Sequence, residues 1–167
     1  IAVNEHQQTN VPSIYAIGDV IGPPWLAHAA SAEGVHAVEH IAGKNPRPID
    51  YNAIPGCTYC RPQVASVGYT EQKAKAEGIA YTVGRFEFKA SGRAVAVGDT
   101  DGLVKLIFEK QYGGLIGAHI AGAEAPEMIH ELVLAIRQEC TAEEIGKAVH
   151  AHPTFGESIM EAALDAI

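Results

Sequence analysis

Cysteine is scarce in this sequence, with three among 167 residues, at positions 57, 60 and 140. That count excludes a fold stapled by several disulfides. Basic residues are outnumbered, 12 Lys and Arg against 20 Asp and Glu, for a formal net charge of −8. Such a balance speaks against nucleic acid or an acidic membrane surface as partner. No apolar run approaches the length of a membrane span. A Gly-x-Gly-x-x-Gly phosphate cradle, a second Cys-x-x-Cys, an internal repeat and a low-complexity stretch are all missing. No signal peptide opens the chain and its first residue is Ile1, so we expect a piece of a longer, cytoplasmic protein. What is abundant is apolar residues, at 47%, ample for a core, in a length that suits one domain or one domain plus a piece of another.

The pattern along the chain sets the domain organisation. Ile1 and Val3 read as a short strand, and Ile14 to Ile17 as a second, closed by Gly18-Asp19. An acid at the C-terminal end of a buried strand is where open α/β sheets place ligand contacts, although a turn aspartate bonded to its own backbone is the plain alternative. Gly22-Pro23-Pro24 then leads into an alanine-rich helix from Leu26 to Ile41 that ends at Gly43. Its N-terminus offers free N–H groups and the positive end of the helix dipole. Asn45-Pro46-Arg47-Pro48 reads as a linker, dividing residues 1–48 from residues 49–167.

Downstream, strand-like runs at Cys57–Cys60 and Val64–Val67 precede a helix from Thr70 to Glu77 and a strand from Tyr81 to Lys89. Residues 90–97 read as a short helix or turn. Gly102 to Lys110 and Leu115 to Ala121 flank Tyr112-Gly113-Gly114, a hairpin signal. A helix follows from Pro126 to Glu139 with Met128, Ile129, Leu132, Val133 and Ile136 on one face, then a short helix opened by a Thr141–Glu144 capping box. The last helix carries Ile159, Met160, Ala163, Leu164 and Ile167 at helical spacing. The fold class expected is α+β, an antiparallel sheet with helices on one side. Cys57 and Cys60 could be half of a zinc site or a redox pair. Positions i and i+3 of a strand point to opposite faces, however, so we read them as structural and expect no metal site.

The chemistry concentrates in His150-Ala151-His152-Pro153-Thr154-Phe155-Gly156-Glu157. Pro153 disfavours the helical region for His152, which keeps that residue off the helix. A neutral imidazole is the side chain best suited to exchange a proton near pH 7, and a carboxylate on its second nitrogen fixes its tautomer. Thr154 to Glu157 also has the Thr-x-x-Glu form of a capping box, which would give Glu157 a purely structural task.

The HAHPTxxE run, with the short apolar helix after it, resembles the C-terminal signature of the dihydrolipoamide dehydrogenases, flavoproteins of the pyridine nucleotide–disulfide oxidoreductase family. The glutathione-reducing branch shares HPTxxEE but typically lacks the preceding His-Ala, so His150 favours the lipoamide branch. Thr9-x-x-Pro12-x-Ile14-Tyr15-Ala16-Ile17-Gly18-Asp19-Val20 is similar to the family's second FAD-binding motif, and Leu26-Ala27-His28 to its flavin-facing helix start. Trp25 stands where the family usually has methionine. Ile54 to Gly68 resembles the segment that follows the flavin domain, with Cys60-Arg61 and Gln63 departing from it.

The resemblance implies that residues 1–48 end an FAD-binding α/β domain and that residues 49–167 form the interface domain of a homodimer. It implies catalytic roles for His152 and Glu157, and cofactor contacts for Asp19, Leu26, Ala27 and His28. The implied parent enzyme oxidises dihydrolipoamide on lipoyl domains of 2-oxoacid dehydrogenase or glycine cleavage complexes, using FAD, a disulfide and NAD. The family's redox CxxxxC and its NAD domain lie outside these residues, so the 167-residue chain alone is expected to be inactive. Two other readings stay open, a different FAD disulfide reductase acting on a small thiol and a stand-alone dimerisation module.

Overall fold

The computed structural model describes residues 1–167 and divides into two compact units, Ile1–Tyr51 and Asn52–Ile167. In the first unit a 3-10 turn, Gly18–Ile21, precedes helix α1, Ala27–Ile41. The strands expected at Ile1–Val3 and Ile14–Ile17 do not form. A single antiparallel bridge joins Gln8 and Tyr15, and Ile14 and Ile17 are exposed. A strand needs a neighbour to take its backbone bonds, and these 51 residues supply only that one pairing. His36 on α1 is buried and hydrogen-bonded to His6, whose ring stacks on His40 with centroids 4.1 Å apart.

The second unit is built on a five-stranded antiparallel sheet, β1 (Gly56–Thr58), β2 (Val64–Gly68), β3 (Tyr81–Glu87), β4 (Leu103–Glu109) and β5 (Leu115–Ala121), in the order β1-β2-β5-β4-β3. The turn between β4 and β5 is held by Glu109. Burial pushes its carboxyl up, but the backbone N–H groups of Tyr112, Gln111 and Gly114 outweigh burial and hold it below the usual carboxylate range. Pairing places Ala65 beside Ile120, Ile120 beside Val104, and Ala118 between Val67 and Leu106, so one face of the sheet is a continuous apolar surface.

Helices α4 (Ala125–Arg137) and α6 (Glu157–Leu164) cover that face, α4 over β2 and β5 and α6 over β3 and β4. The short α5 (Ala142–Lys147) packs on α6 and opens with the reciprocal Thr141–Glu144 capping box. Alternation sends Lys105 and Arg85 to the opposite face, where both reach Glu71 at the start of α2 (Glu71–Ala76). A further short helix, α3 (Gly92–Val97), is capped by Ser91.

The apolar spacing of α6 extends past its buried stripe. Ile159, Ala162 and Ala163 are buried, whereas Leu164 and Ile167 are exposed. Helix α6 ends at Leu164, and its covered stripe is set by β3. A Cβ on Gly84 would run into the carbonyl oxygen of Ala162, so the strand and the helix approach as closely as only glycine permits.

Candidate functional site

The loop between α5 and α6 carries the second unit's candidate site. Ala148 ends α5 in an extended conformation, and α6 begins at Glu157. Phe155 anchors the loop from within, buried with its ring 5.2 Å from that of Phe88. His152 stands outside, its side chain 77% exposed, and its Nδ1 lies 2.8 Å from Glu157 Oε1. The backbone N–H of Thr154 donates to the other carboxylate oxygen, Oε2, at 2.8 Å.

Glu157 therefore performs both tasks that the sequence offered as alternatives. The capping box is only half formed, because Thr154 Oγ1 donates to the Ala151 carbonyl and the N-cap position falls at Gly156. The Thr154 N–H, and then the His152 ring, hold the Glu157 carboxyl below the usual carboxylate range. Near neutral pH it is an acceptor only, so in the neutral ring the hydrogen of His152 sits on Nδ1 and the lone pair on Nε2. That is the arrangement of an oriented general base.

Two features of this loop were not signalled by sequence spacing. His150, its side chain only 10% exposed, places Nε2 2.9 Å from Glu131 Oε1 on α4 and Nδ1 2.9 Å from the Ala148 carbonyl. Val149, beside it, is fully exposed.

The other four candidates lie in the first unit. Asp19 is the second residue of the 3-10 turn and is exposed. Leu26 is the N-cap of α1, in extended conformation and with no side chain capping the helix; Ala27 and His28 form the exposed first turn. No side chain closes that turn, which leaves the positive end of the helix dipole facing outward, as a helix start that receives an anionic or carbonyl group requires. Gly18, at a φ of +73°, makes the turn, and its N–H donates to Glu33 at 2.7 Å. Glu33 is buried in α1 and also accepts from the Tyr51 hydroxyl at 2.9 Å. The phenol is pushed up by burial and by that carboxylate. Nothing in an alanine-rich helix singled out Glu33, yet it fixes the turn that presents Asp19.

The cysteines form no cluster. Cys57 is half-buried against the core, with its thiol pushed up by burial and then by Glu127, and Cys60 is exposed with its Sγ on the Pro62 carbonyl. The raised Cys57 thiol is for that reason a poor nucleophile and a poor metal ligand.

Residues 54–163 match the model of the pyridine nucleotide-disulphide oxidoreductase dimerisation domain. The chain belongs to this family. Residues 1–34 match the family's pyridine nucleotide-disulphide oxidoreductase model as well. Among curated oxidoreductases of the family, a dihydrolipoyl dehydrogenase of Rhizobium etli is 53% identical over 99% of this chain and 35% of its own length. One of Bacillus subtilis is 53% identical over the whole chain and 35% of its own length. In solved structures, LpdA of Mycobacterium tuberculosis superposes with a TM-score of 0.92 at 27% identity, over 97% of this chain and 35% of that one. The chain thus spans about a third of the length of these oxidoreductases.

Proposed function

We propose that the chain is the dimerisation-domain part of a dihydrolipoamide dehydrogenase, with residues 1–48 closing its FAD-binding domain and residues 49–167 forming the interface domain. The observation that carries this reading is the His152–Glu157 pair, an exposed imidazole with its tautomer fixed by an ionised carboxylate. The name shared by relatives at 53% identity supports the substrate, protein-bound dihydrolipoamide, and the electron acceptor, NAD.

A thiol has a pKa of about 8.5 and is a weak nucleophile until ionised. His152 Nε2 takes the proton of one substrate thiol, and the thiolate so formed attacks an enzyme disulfide carried outside these residues. Glu157 holds the Nδ1–H while the ring is neutral and stabilises the imidazolium once Nε2 is protonated. FAD, when bound, supplies the acceptor for the electron pair that leaves the dithiol. Asp19 would offer a carboxylate to its hydroxyls, and the start of α1, at Leu26, Ala27 and His28, where no side chain caps the helix, would turn the positive end of the helix dipole towards a ring carbonyl. His152 serves the flavin site of a second copy in this reading, so the working enzyme is a homodimer. The fully exposed Val149 beside the site is the type of residue a second copy covers. Lipoyl domains are the partners, and the cytoplasm is the compartment that an acidic chain with free cysteines suits.

The test is steady-state dihydrolipoamide oxidation by the full-length parent. His152→Gln is expected to lower kcat by about 10²–10⁴-fold. Glu157→Gln is expected to lower it less and to change the pH profile. Wild-type rates in both variants would reduce Glu157 to a helix-opening residue and remove the basis for this reading.

A further inference from the structure

The proton transfer just described uses neither His150 nor Glu131, yet these two are joined across 19 positions. The His150 ring meets three elements at once. It bonds Glu131 on α4, it bonds the carbonyl of Ala148 at the end of α5, and its Cδ2 would lie 3.5 Å from a Cβ on Gly156, where α6 opens. These are the elements that frame the His152 loop. Val149 and Ala151 on either side of it are exposed, so the covered imidazole is what fastens the upstream arm.

We propose that His150 and Glu131 are positioning residues. They hold the backbone of the loop so that His152 Nδ1 meets Glu157, and through that pair they govern proton transfer at His152 Nε2 without touching substrate. The reason lies in how little else holds His152. Its side chain is exposed and its hydrogen bond goes to Glu157 alone. Downstream, Phe155 and the Thr154 N–H fix the loop. Upstream, the Thr154 Oγ1 bond to the Ala151 carbonyl closes the loop on itself, and His150 is what ties it to another element.

The conformational freedom that one released residue regains is comparable in free energy with the net value of an exposed charge-assisted bond. A loop freed at its upstream end would therefore spend much of its time with His152 away from Glu157. Both ring nitrogens of His150 face oxygen acceptors, so a glutamine at 131, which can donate to Nε2, keeps the fastening without the charge.

The inference rests on the acid/base reading of His152. It is tested on the full-length holoenzyme with Glu131→Ala, Glu131→Gln and His150→Asn beside His152→Gln, measuring kcat and KM per bound flavin, the pH profile and Tm. Glu131→Ala and His150→Asn are expected to lower kcat between about ten- and a hundred-fold. KM should stay within about twofold, and the acidic limb of the profile should move. Glu131→Gln should recover most of the rate. Glu131→Ala added to His152→Gln should cost nothing further, because no base remains to be positioned.

Wild-type kcat per flavin and an unmoved profile in Glu131→Ala and His150→Asn, whether or not Tm falls, would overturn the inference while leaving His152 as the base. A wild-type rate in His152→Gln would overturn the acid/base reading first, and this inference with it.

Discussion

At the scale of single residues, carboxylates do most of the local fastening. Glu109 accepts from the N–H of Tyr112 at 2.6 Å, of Gln111 at 2.6 Å and of Gly114 at 3.2 Å. Its folded value is depressed, so its contribution is present above the unfolded carboxylate value of about 4.3 and is lost as pH falls through the folded value. Glu109→Gln is expected to destabilise the chain by about 1 kcal/mol at neutral pH. In urea titrations repeated at successively lower pH, the gap from wild type should close. The sequence offered the His152–Glu157 pair, beside the capping-box alternative, because the two lie five positions apart in one short motif, and the resemblance chose between them. Glu131–His150 and Glu33–Gly18 were not, because each joins a helix to a distant loop and no local pattern relates the two. The roles of Asp19 and of His28 rest on resemblance, which the unit's geometry accommodates through an exposed carboxylate and an uncapped helix start.

At the scale of elements, the strands and helices of the second unit were readable where local chemistry and packing agree. The Thr70 and Thr141 caps, the hairpin at Gly113-Gly114 and the inward face of β4, Val104, Leu106 and Phe108, are such places. Reading failed where an element depends on something beyond its own residues. Ile14 to Ile17 has the composition of a strand but finds no ladder. The spacing of α6 counts Leu164 and Ile167 as core, although the sheet covers only the Ile159–Ala163 stripe. Ile159→Ala is accordingly expected to cost about 2–5 kcal/mol, and Ile167→Ala less than about 0.5 kcal/mol. Denaturant unfolding of the two variants separates these outcomes, and equal losses would contradict the packing described. Gly84→Ala should cost about 1–3 kcal/mol, because β3 must move off α6 to admit a methyl group.

At the scale of the whole chain, the two units differ in how completely they can bury themselves. The second has a continuous core from Ala65 through Ala163. In the first, the buried apolar residues are alanines, Ala16, Ala29 and Ala37, while Ile14, Ile17, Val20, Val35, Val38 and Ile41 are exposed. So small a core does not offset the entropy of ordering some fifty residues. Residues 52–167 made alone are expected to melt cooperatively by circular dichroism, and residues 1–51 made alone to show no transition. A sharp melt from the shorter piece would mean that its hydrogen bonds, Glu33 foremost, hold it without a core. No helix is long and apolar enough to cross a membrane.

The divided carboxylate of Glu157 has a consequence for how this position can change over generations. One oxygen belongs to the fold, through the Thr154 N–H, and the other to the histidine. Aspartate is one methylene too short to reach both, and glutamine satisfies one while presenting an amide to the other. Every single-step replacement therefore gives up either the loop or the tautomer. A lineage that abandoned the proton transfer would need only the oxygen that accepts from the Thr154 N–H, which glutamine supplies as well, so glutamate kept at 157 beside His152 speaks for the pair rather than for the helix start alone.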